Sequence, residues 1–245
     1  MAYQIKAMSF AEMLDTAFRI LRDHFMTLAG LSAVVHVPLA FLNSGIQQAP
    51  GELAWGRFAL SLLVSFVGAP FVAAALTHAI GEIYLGRPTS IGGSLRAALA
   101  IIVPLSGTML LVYLGVFVGI LCLVIPGIYL SLVWMLTWPV TVLENRFGTT
   151  AIARSRELMR GNIGRAILIV IIGWIIALVI GGTLGVLFHF MPLLGPLASG
   201  LAQGVGVAYS SVVLVLLYFD VRCRKEAFDL EHLARLVEST GSAAA

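Results

Sequence analysis

Charge is what this sequence has least of. Only 11% of its 245 residues are Asp, Glu, Lys or Arg, against about a quarter in an ordinary soluble domain. A soluble fold of this length needs a solvated surface, and this sparse charge excludes one; a surface facing lipid removes the need. Cysteine is nearly absent as well. Cys122 and Cys223 stand alone, which excludes a disulfide scaffold and a cysteine-based zinc site. Missing too are HExxH, a phosphate loop and a G-x-S-x-G elbow, the motifs of common soluble enzymes. The first 25 residues mix Lys6, Glu12, Asp15, Arg19, Arg22 and Asp23 with apolar positions, so a cleavable signal peptide is not expected.

What the chain does have is apolar length. Hydrophobic residues make up 60% of it, and its mean hydropathy is +1.00. A helix crosses the hydrocarbon core with about 20 apolar residues. Charge-free runs approach or reach that length at 26–46, 58–81, 97–124, 127–143, 166–188 and 197–219. The third and fourth are separated only by Ile125-Pro126-Gly127. Proline lacks a backbone donor and glycine tolerates positive φ, so the reversal of a helical hairpin is expected there. The fold class is therefore all-α: a polytopic membrane protein of six transmembrane helices with short interfacial amphipathic helices.

The basic residues orient the spans. With the runs assigned alternately to the two sides, 15 Lys and Arg divide so that Arg57 alone falls on one side and all the others on the opposite one. The arginine-rich side is cytoplasmic by the positive-inside rule. Both termini then lie in the cytoplasm, in a bacterial inner membrane. The pI of about 9.1 follows from basic residues that hug the boundaries, so nucleic acid is not an expected partner. Cys122 and Cys223 fall on opposite faces of the bilayer and cannot pair.

Three domains follow. Residues 1–25 form an interfacial amphipathic helix, opened by the capping box Ser9-Phe10-Ala11-Glu12 and carrying an apolar stripe of Phe10, Met13, Leu14, Ala17, Phe18 and Leu21. Residues 26–221 hold the six spans, with a second interfacial helix over 148–160; in such helices the apolar face meets acyl chains and the cations meet phosphates. Residues 222–245 are an amphipathic tail with a disordered end, in which Leu230, Leu233 and Val237 share a side over 228–239. Ser9-Phe10-Ala11, Ser90-Ile91-Gly92 and Arg146-Phe147-Gly148 share an apolar-then-small pair before each hairpin. The chain thus reads as three degenerate repeats of a short segment followed by two spans.

The polar residues locate a candidate site. No Asp, Glu, Lys or Arg lies at mid-membrane, where such groups mark ion pathways, so an ion-coupled pump is disfavoured. His78 and Glu82 stand i, i+4 and can share a hydrogen bond. His36 and His189 lie deep in the first span and at the outer end of the fifth; without further ligands, neither they nor His78 point to a metal, and no cofactor is expected. Glu82, Glu144 and Asp220 end three inward-running spans, near Arg154, Arg156, Arg160, Arg165 and Arg222. One reading is a polar network of Glu82, Glu144, Asp220 and His78 that ties the cytoplasmic rim together. The other is a phosphate or headgroup site of Arg154, Arg156, Arg160 and Arg222, because surplus arginine near anionic lipid attracts phosphate. Gly181, Gly182 and Gly185, like Gly200, Gly204 and Gly206, suit close helix packing. Pro38, Pro70, Pro104 and Pro139 are expected to kink four spans.

Phe147–Asn162 (FGTTAIARSRELMRGN) and Tyr218–Glu231 (YFDVRCRKEAFDLE), together with the amphipathic start at Ser9-Phe10-Ala11-Glu12, carry a family resemblance. The chain resembles the membrane domain of bacterial glycerophosphoryl diester phosphodiesterases and its free-standing relatives. In the fused proteins the chemistry belongs to a separate soluble domain, and with the sequence running to Ala245 no catalytic role is expected to carry over. Ala227 stands where the resemblance implies glycine. The expected function is a non-enzymatic inner-membrane protein that binds or handles lipid, anionic lipid on the cytoplasmic side above all, or assists an envelope process. The alternative is a small-solute transporter or channel, motivated by the prolines and by Asn43, Ser65, Ser106 and Thr183. An intramembrane enzyme built on Ser106, His36 and His78 has no spacing to support it. The sequence leaves the oligomeric state, homo-oligomer included, open.

Overall fold

The computed structural model describes residues 6–48, 52–188 and 194–227. Among them every regular element is a helix. In chain order these are α1 (Phe10–Asp23), α2 (Phe25–Gln48), α3 (Glu52–Tyr84), α4 (Ile91–Ala100), α5 (Ile102–Cys122), α6 (Val124–Val133), α7 (Thr137–Leu143), α8 (Thr149–Met159), α9 (Ile163–Phe188) and α10 (Leu194–Glu226). The pattern is a short helix and then two long ones, three times over: α1 with α2 and α3, α4 with α5 and α6–α7, α8 with α9 and α10. Ser9 and Ser90 cap the first two short helices through their hydroxyls. Gly148 caps the third at φ +61°, a conformation that favours glycine.

Five of the helical stretches are long and apolar enough to cross a bilayer: Phe25–Ser44, Trp55–Tyr84, Ile102–Cys122, Val124–Leu143 and Leu194–Glu226. The protein is membrane-embedded. The expected sixth span falls on α9, which is 26 residues long, although its apolar stretch with described side chains is the shorter Ile163–Gly173. The outer surface agrees with a lipid solvent, since Val103, Leu114, Phe117 and Leu121 of α5 are all exposed. In water such a face would be a large exposed apolar patch.

α10 is the central helix. Of its most apolar stretch 67% is buried, against 28% for α5. It packs on α2 and α9 most extensively and also on α1, α3 and α8. Gly200 and Gly204 make the α2 contact possible. A Cβ on Gly200 would lie 2.8 Å from Val37 Cα and 2.9 Å from the His36 carbonyl oxygen, and one on Gly204 would lie 3.4 Å from Ser32 Oγ. Small residues four apart thus do here what they do in membrane helix pairs generally. Gly206, expected to pack likewise, has open space beside it. The side chains of Gly181–Gly185 lie outside the described residues.

Several expected boundaries move. The third span begins at Ile102 rather than 97, because the chain breaks at Ile101 and leaves α4 as a separate helix. The reversal between the third and fourth spans sits at Leu123, extended at φ −166° and ψ 136°, not at Ile125-Pro126-Gly127. Pro126 instead occupies the first turn of α6, where its missing N–H costs nothing. Gly127 serves close approach: its Cβ would lie 2.7 Å from the Ile120 nitrogen across the hairpin. The fourth span is interrupted after Val133 and resumes at Thr137. Pro139 explains the break, since it cannot bond the carbonyl four residues back. Residues 222–226, expected in a separate tail, continue α10 to Glu226. The apolar side expected over 228–239, and His189, lie outside the described residues.

α1 also departs from its expected stripe. Met13, Ala17, Ile20 and Leu21 are buried, whereas Phe18 is 58% exposed. Its apolar face packs on α10 and α2. The helix belongs to the bundle.

Candidate functional site

The acidic span ends and the arginines gather at one end of the bundle, where they form two separate nodes. The first is built on Asp220 of α10, which is fully buried. Met8 donates its backbone N–H to Asp220 Oδ1 at 2.7 Å. Arg224 donates Nε–H to both carboxylate oxygens at 3.1 Å, and Arg165 of α9 pairs with Oδ2. Arg224 Nη2 also donates to the Met8 carbonyl at 2.8 Å. A carboxylate without water around it needs such partners. The node fastens the segment before α1 to α9 and α10.

The second node is built on Glu144, the residue after α7. Arg154 of α8 donates Nε–H to its two oxygens at 3.2 and 3.1 Å, Tyr218 donates its hydroxyl at 2.9 Å, and Arg146 lies 3.3 Å away. Arg154 also pairs with Glu226 and Glu157. Its side chain is only 10% exposed. Burial alone would lower its pKa, but Glu144 and Glu226 outweigh that and raise it, so it is firmly a cation. Arg222 belongs here as well, donating to Glu226 at 3.0 Å and to the Tyr218 hydroxyl at 3.2 Å.

The remaining two expected arginines are placed differently. Arg156 and Arg160 stand one turn apart on the exposed side of α8 and its C-cap, and neither has an ion pair or hydrogen bond from its side chain among the described residues. Both line a cavity of about 620 Å³ between α6, α8 and the start of α9. Its other walls include Tyr129, Val133, Trp134, Ile152 and Ile163. Glu157 reaches this cavity too, but its carboxylate is held by Arg154. Gly161, at φ +87°, turns the chain below the cavity from α8 into α9. Ser155 anchors α8 from its buried side by donating to the Val133 carbonyl at 2.9 Å.

The four arginines expected to act together are thus divided, Arg154 and Arg222 in a node of carboxylates and Arg156 with Arg160 over a cavity. The expected rim network is divided too. Glu144 and Asp220 sit in different nodes, and Glu82 pairs with Arg87 at 3.2 Å. His78 does not bond Glu82; its Nδ1 is buried without a hydrogen-bond partner among the described residues. Arg165, Arg224 and Met8 were not singled out as site residues from the sequence. A backbone amide leaves no sequence signal, whereas the four-residue spacing of Asp220 and Arg224 was there to be read. Cys122 is exposed and Cys223 buried, and neither forms a disulfide among the described residues. No group of three or more His, Cys, Asp or Glu suited to a metal occurs among the described residues.

A second cavity, of about 450 Å³, lies deeper, between α2, α3, α7 and α10. His36, Thr77, Gln203 and Ser210 line it, with Gly206 and Trp138. Asn43, Ser65 and Ser106, the polar positions that suggested a channel, are not among its walls, and the side chain of Thr183 is outside the described residues.

No curated protein and no solved structure matches the chain. One family model does, over residues 92–223, which is more than half of the sequence and takes in nearly all of α4, α5 to α9, most of α10, and Asp220 and Glu144 at the centres of the two nodes. The chain belongs to the family described as Domain of unknown function (DUF8558).

Proposed function

We propose that this protein is a non-enzymatic, six-span inner-membrane protein that binds anionic phospholipid through the cavity under Arg156 and Arg160. One observation carries the reading: two guanidinium groups without partners among the described residues stand over a cavity walled largely by apolar and aromatic side chains, while Arg154 and Arg222 are committed to carboxylates. A phosphodiester accepts from two arginines as a carboxylate would. Tyr129 and Trp134 beside it suit the membrane interface, where amphipathic rings are enriched. The apolar wall of Val133, Ile152 and Ile163 suits the first methylenes of the acyl chains.

The topology in this reading takes α9 as the sixth span and puts both termini in the cytoplasm. The charge asymmetry of the sequence supports it, as does the gathering of Met8, Glu144, Arg165 and Asp220 at one end of the bundle. α8 then lies in the interface as an amphipathic helix, with Arg156 and Arg160 at headgroup level. Cysteine accessibility at position 57 against position 156 tests the orientation.

The binding test uses the full chain in nanodiscs of phosphatidylcholine doped with phosphatidylglycerol. Wild type retains phosphatidylglycerol preferentially through purification, and Arg156→Gln/Arg160→Gln loses at least tenfold of that preference at unchanged thermal stability. Equal retention of the two lipids by wild type and by the double variant removes the site.

A further inference from the structure

The deeper cavity sits at a depth where unpaired polar groups are costly. Ser210 and Gln203 precede Asp220 by ten and 17 residues, which places them about 15 and 25 Å up the helix from the arginine-rich end. The hydrocarbon core is about 30 Å thick. Several helix hydroxyls satisfy themselves locally, although Thr137 Oγ1 of α7 is buried without a partner among the described residues. Ser61, Thr108, Thr141 and Ser211 all donate to a carbonyl three or four residues back. Thr77, Gln203 and Ser210 make no hydrogen bond among the described residues, and Gln203 and Ser210 are exposed. In hydrocarbon an unsatisfied amide or hydroxyl costs several kcal/mol, on the order of 2–7 by transfer scales.

His36 adds direction. Its Nδ1 lies 2.9 Å from the Ser32 carbonyl oxygen and 3.2 Å from Ser32 Oγ. A carbonyl only accepts, so the proton sits on Nδ1 and Nε2 is left as an acceptor. A partner for that nitrogen must donate. Gln203 can both donate and accept, as can the hydroxyls of Thr77 and Ser210. None of the lining residues is Asp, Glu, Lys or Arg, so a charged group would enter uncompensated. The rest of the wall is mostly apolar, with Ala69, Ala73, Ala202, Val207, Leu214 and Trp138; Ser211 also lines it but is bonded to the Val207 carbonyl. Gly206 leaves room, because a Cβ there would touch nothing within 4 Å.

We propose that this cavity binds the head of an uncharged, hydroxyl-bearing lipid, such as a diacylglycerol, taken from the hydrocarbon. The hydroxyl donates to His36 Nε2, and Gln203, Thr77 and Ser210 serve the ester carbonyls. The cavity volume of about 450 Å³ falls in the range of small-molecule sites, about 300–1,000 Å³. It takes a glyceryl head and the first methylenes, and the chains remain in lipid. This site is independent of the arginine cavity, and its chemistry is the opposite: no cation, no phosphate.

The test is photolabelling of the full chain in phosphatidylcholine nanodiscs with a diazirine-bearing diacylglycerol, mapped by peptide mass spectrometry. Labelling is expected on α2 and α10. Unlabelled diacylglycerol should compete at least tenfold better than its O-methyl ether, and glycerol should not compete. Gly206→Leu, which fills the cavity, and Gln203→Leu should each cut labelling at least fivefold. Arg156→Gln/Arg160→Gln should leave it unchanged, so failure here and failure of the arginine site are told apart. Should Gly206→Leu not fold, Gln203→Leu decides, since it removes no hydrogen bond seen within the protein. Undiminished labelling in the folded variants, equal competition by the methyl ether, or competition by glycerol overturns the proposal; the last would assign the cavity to a water-soluble polyol.

Discussion

Arg154 and Arg156 stand two residues apart on one helix, and the bundle uses them in opposite ways. Arg154 points inward, is 10% exposed and meets Glu144, Glu157 and Glu226. Arg156 is exposed beside a cavity that Glu157 also lines, but the Glu157 carboxylate is held by Arg154. The same contrast holds for Arg222 and Arg160. One pair has its charge consumed by the fold; the other has no carboxylate partner among the described residues. Counting arginines at a membrane boundary therefore says little until each is asked what already neutralises it.

The sharpest way to break this comparison is to remove a carboxylate. Asp220→Ala should destabilise the protein by about 3 kcal/mol or more, because it leaves Arg165 and Arg224 without their buried partner. Thermal unfolding in detergent measures the loss, and faster proteolysis of the segment before α1 should accompany it. Arg154→Gln should cost about 2–3 kcal/mol for the same reason, whereas Arg156→Gln should stay within about 0.5 kcal/mol, the usual range for an exposed position. Equal effects of the two substitutions would dissolve the distinction.

A smaller effect is expected where α10 ends. Ala227 follows the helix at φ +51°, the left-handed conformation that usually closes a helix on glycine. A Cβ is strained there by about 1–2 kcal/mol, so Ala227→Gly should stabilise the protein by about 1 kcal/mol in the same unfolding measurement.

The smallest effect belongs to the capping box of α1. The Ser9 backbone N–H holds the Glu12 carboxylate from 2.7 Å, and the Ser9 hydroxyl and Lys6 assist, so its pKa is lowered from 4.5 to about 2. A depressed carboxylate pKa contributes stability that is present above the unfolded value and lost as pH falls through the folded one. Amide exchange over α1 should therefore quicken between about pH 4.5 and pH 2, and Glu12→Ala should abolish that dependence. Exposure of the group to solvent keeps the effect slight.

How much was legible in advance differs from feature to feature. The helical class and the membrane followed from the apolar runs and the missing charge, because both are set by solvent and need no knowledge of neighbours. The Ser9–Glu12 cap was legible for a similar reason: its partners lie within one turn. The Leu123 reversal was misplaced by two residues because Pro126 is as acceptable inside the first turn of a helix as in a loop. Of the expected α1 stripe, Met13, Ala17 and Leu21 are buried and Phe18 is exposed, since a periodic stripe does not reveal which edge of it the bundle covers.

The sequence by itself determined that this chain is helical, belongs in lipid and carries nearly all its positive charge at one set of boundaries. Only the tertiary structure decided which arginines are spent. Arg154 meets Glu226 from 72 residues away, and Arg165 meets Asp220 from 55. It also decided that Gln203, Thr77 and His36, on three different helices, face one cavity. Hydropathy and charge bias act residue by residue and survive in any packing. Ion pairing and cavities depend on which helix faces are brought together, and in this bundle the close approach at Gly200 and Gly204 does much to set that.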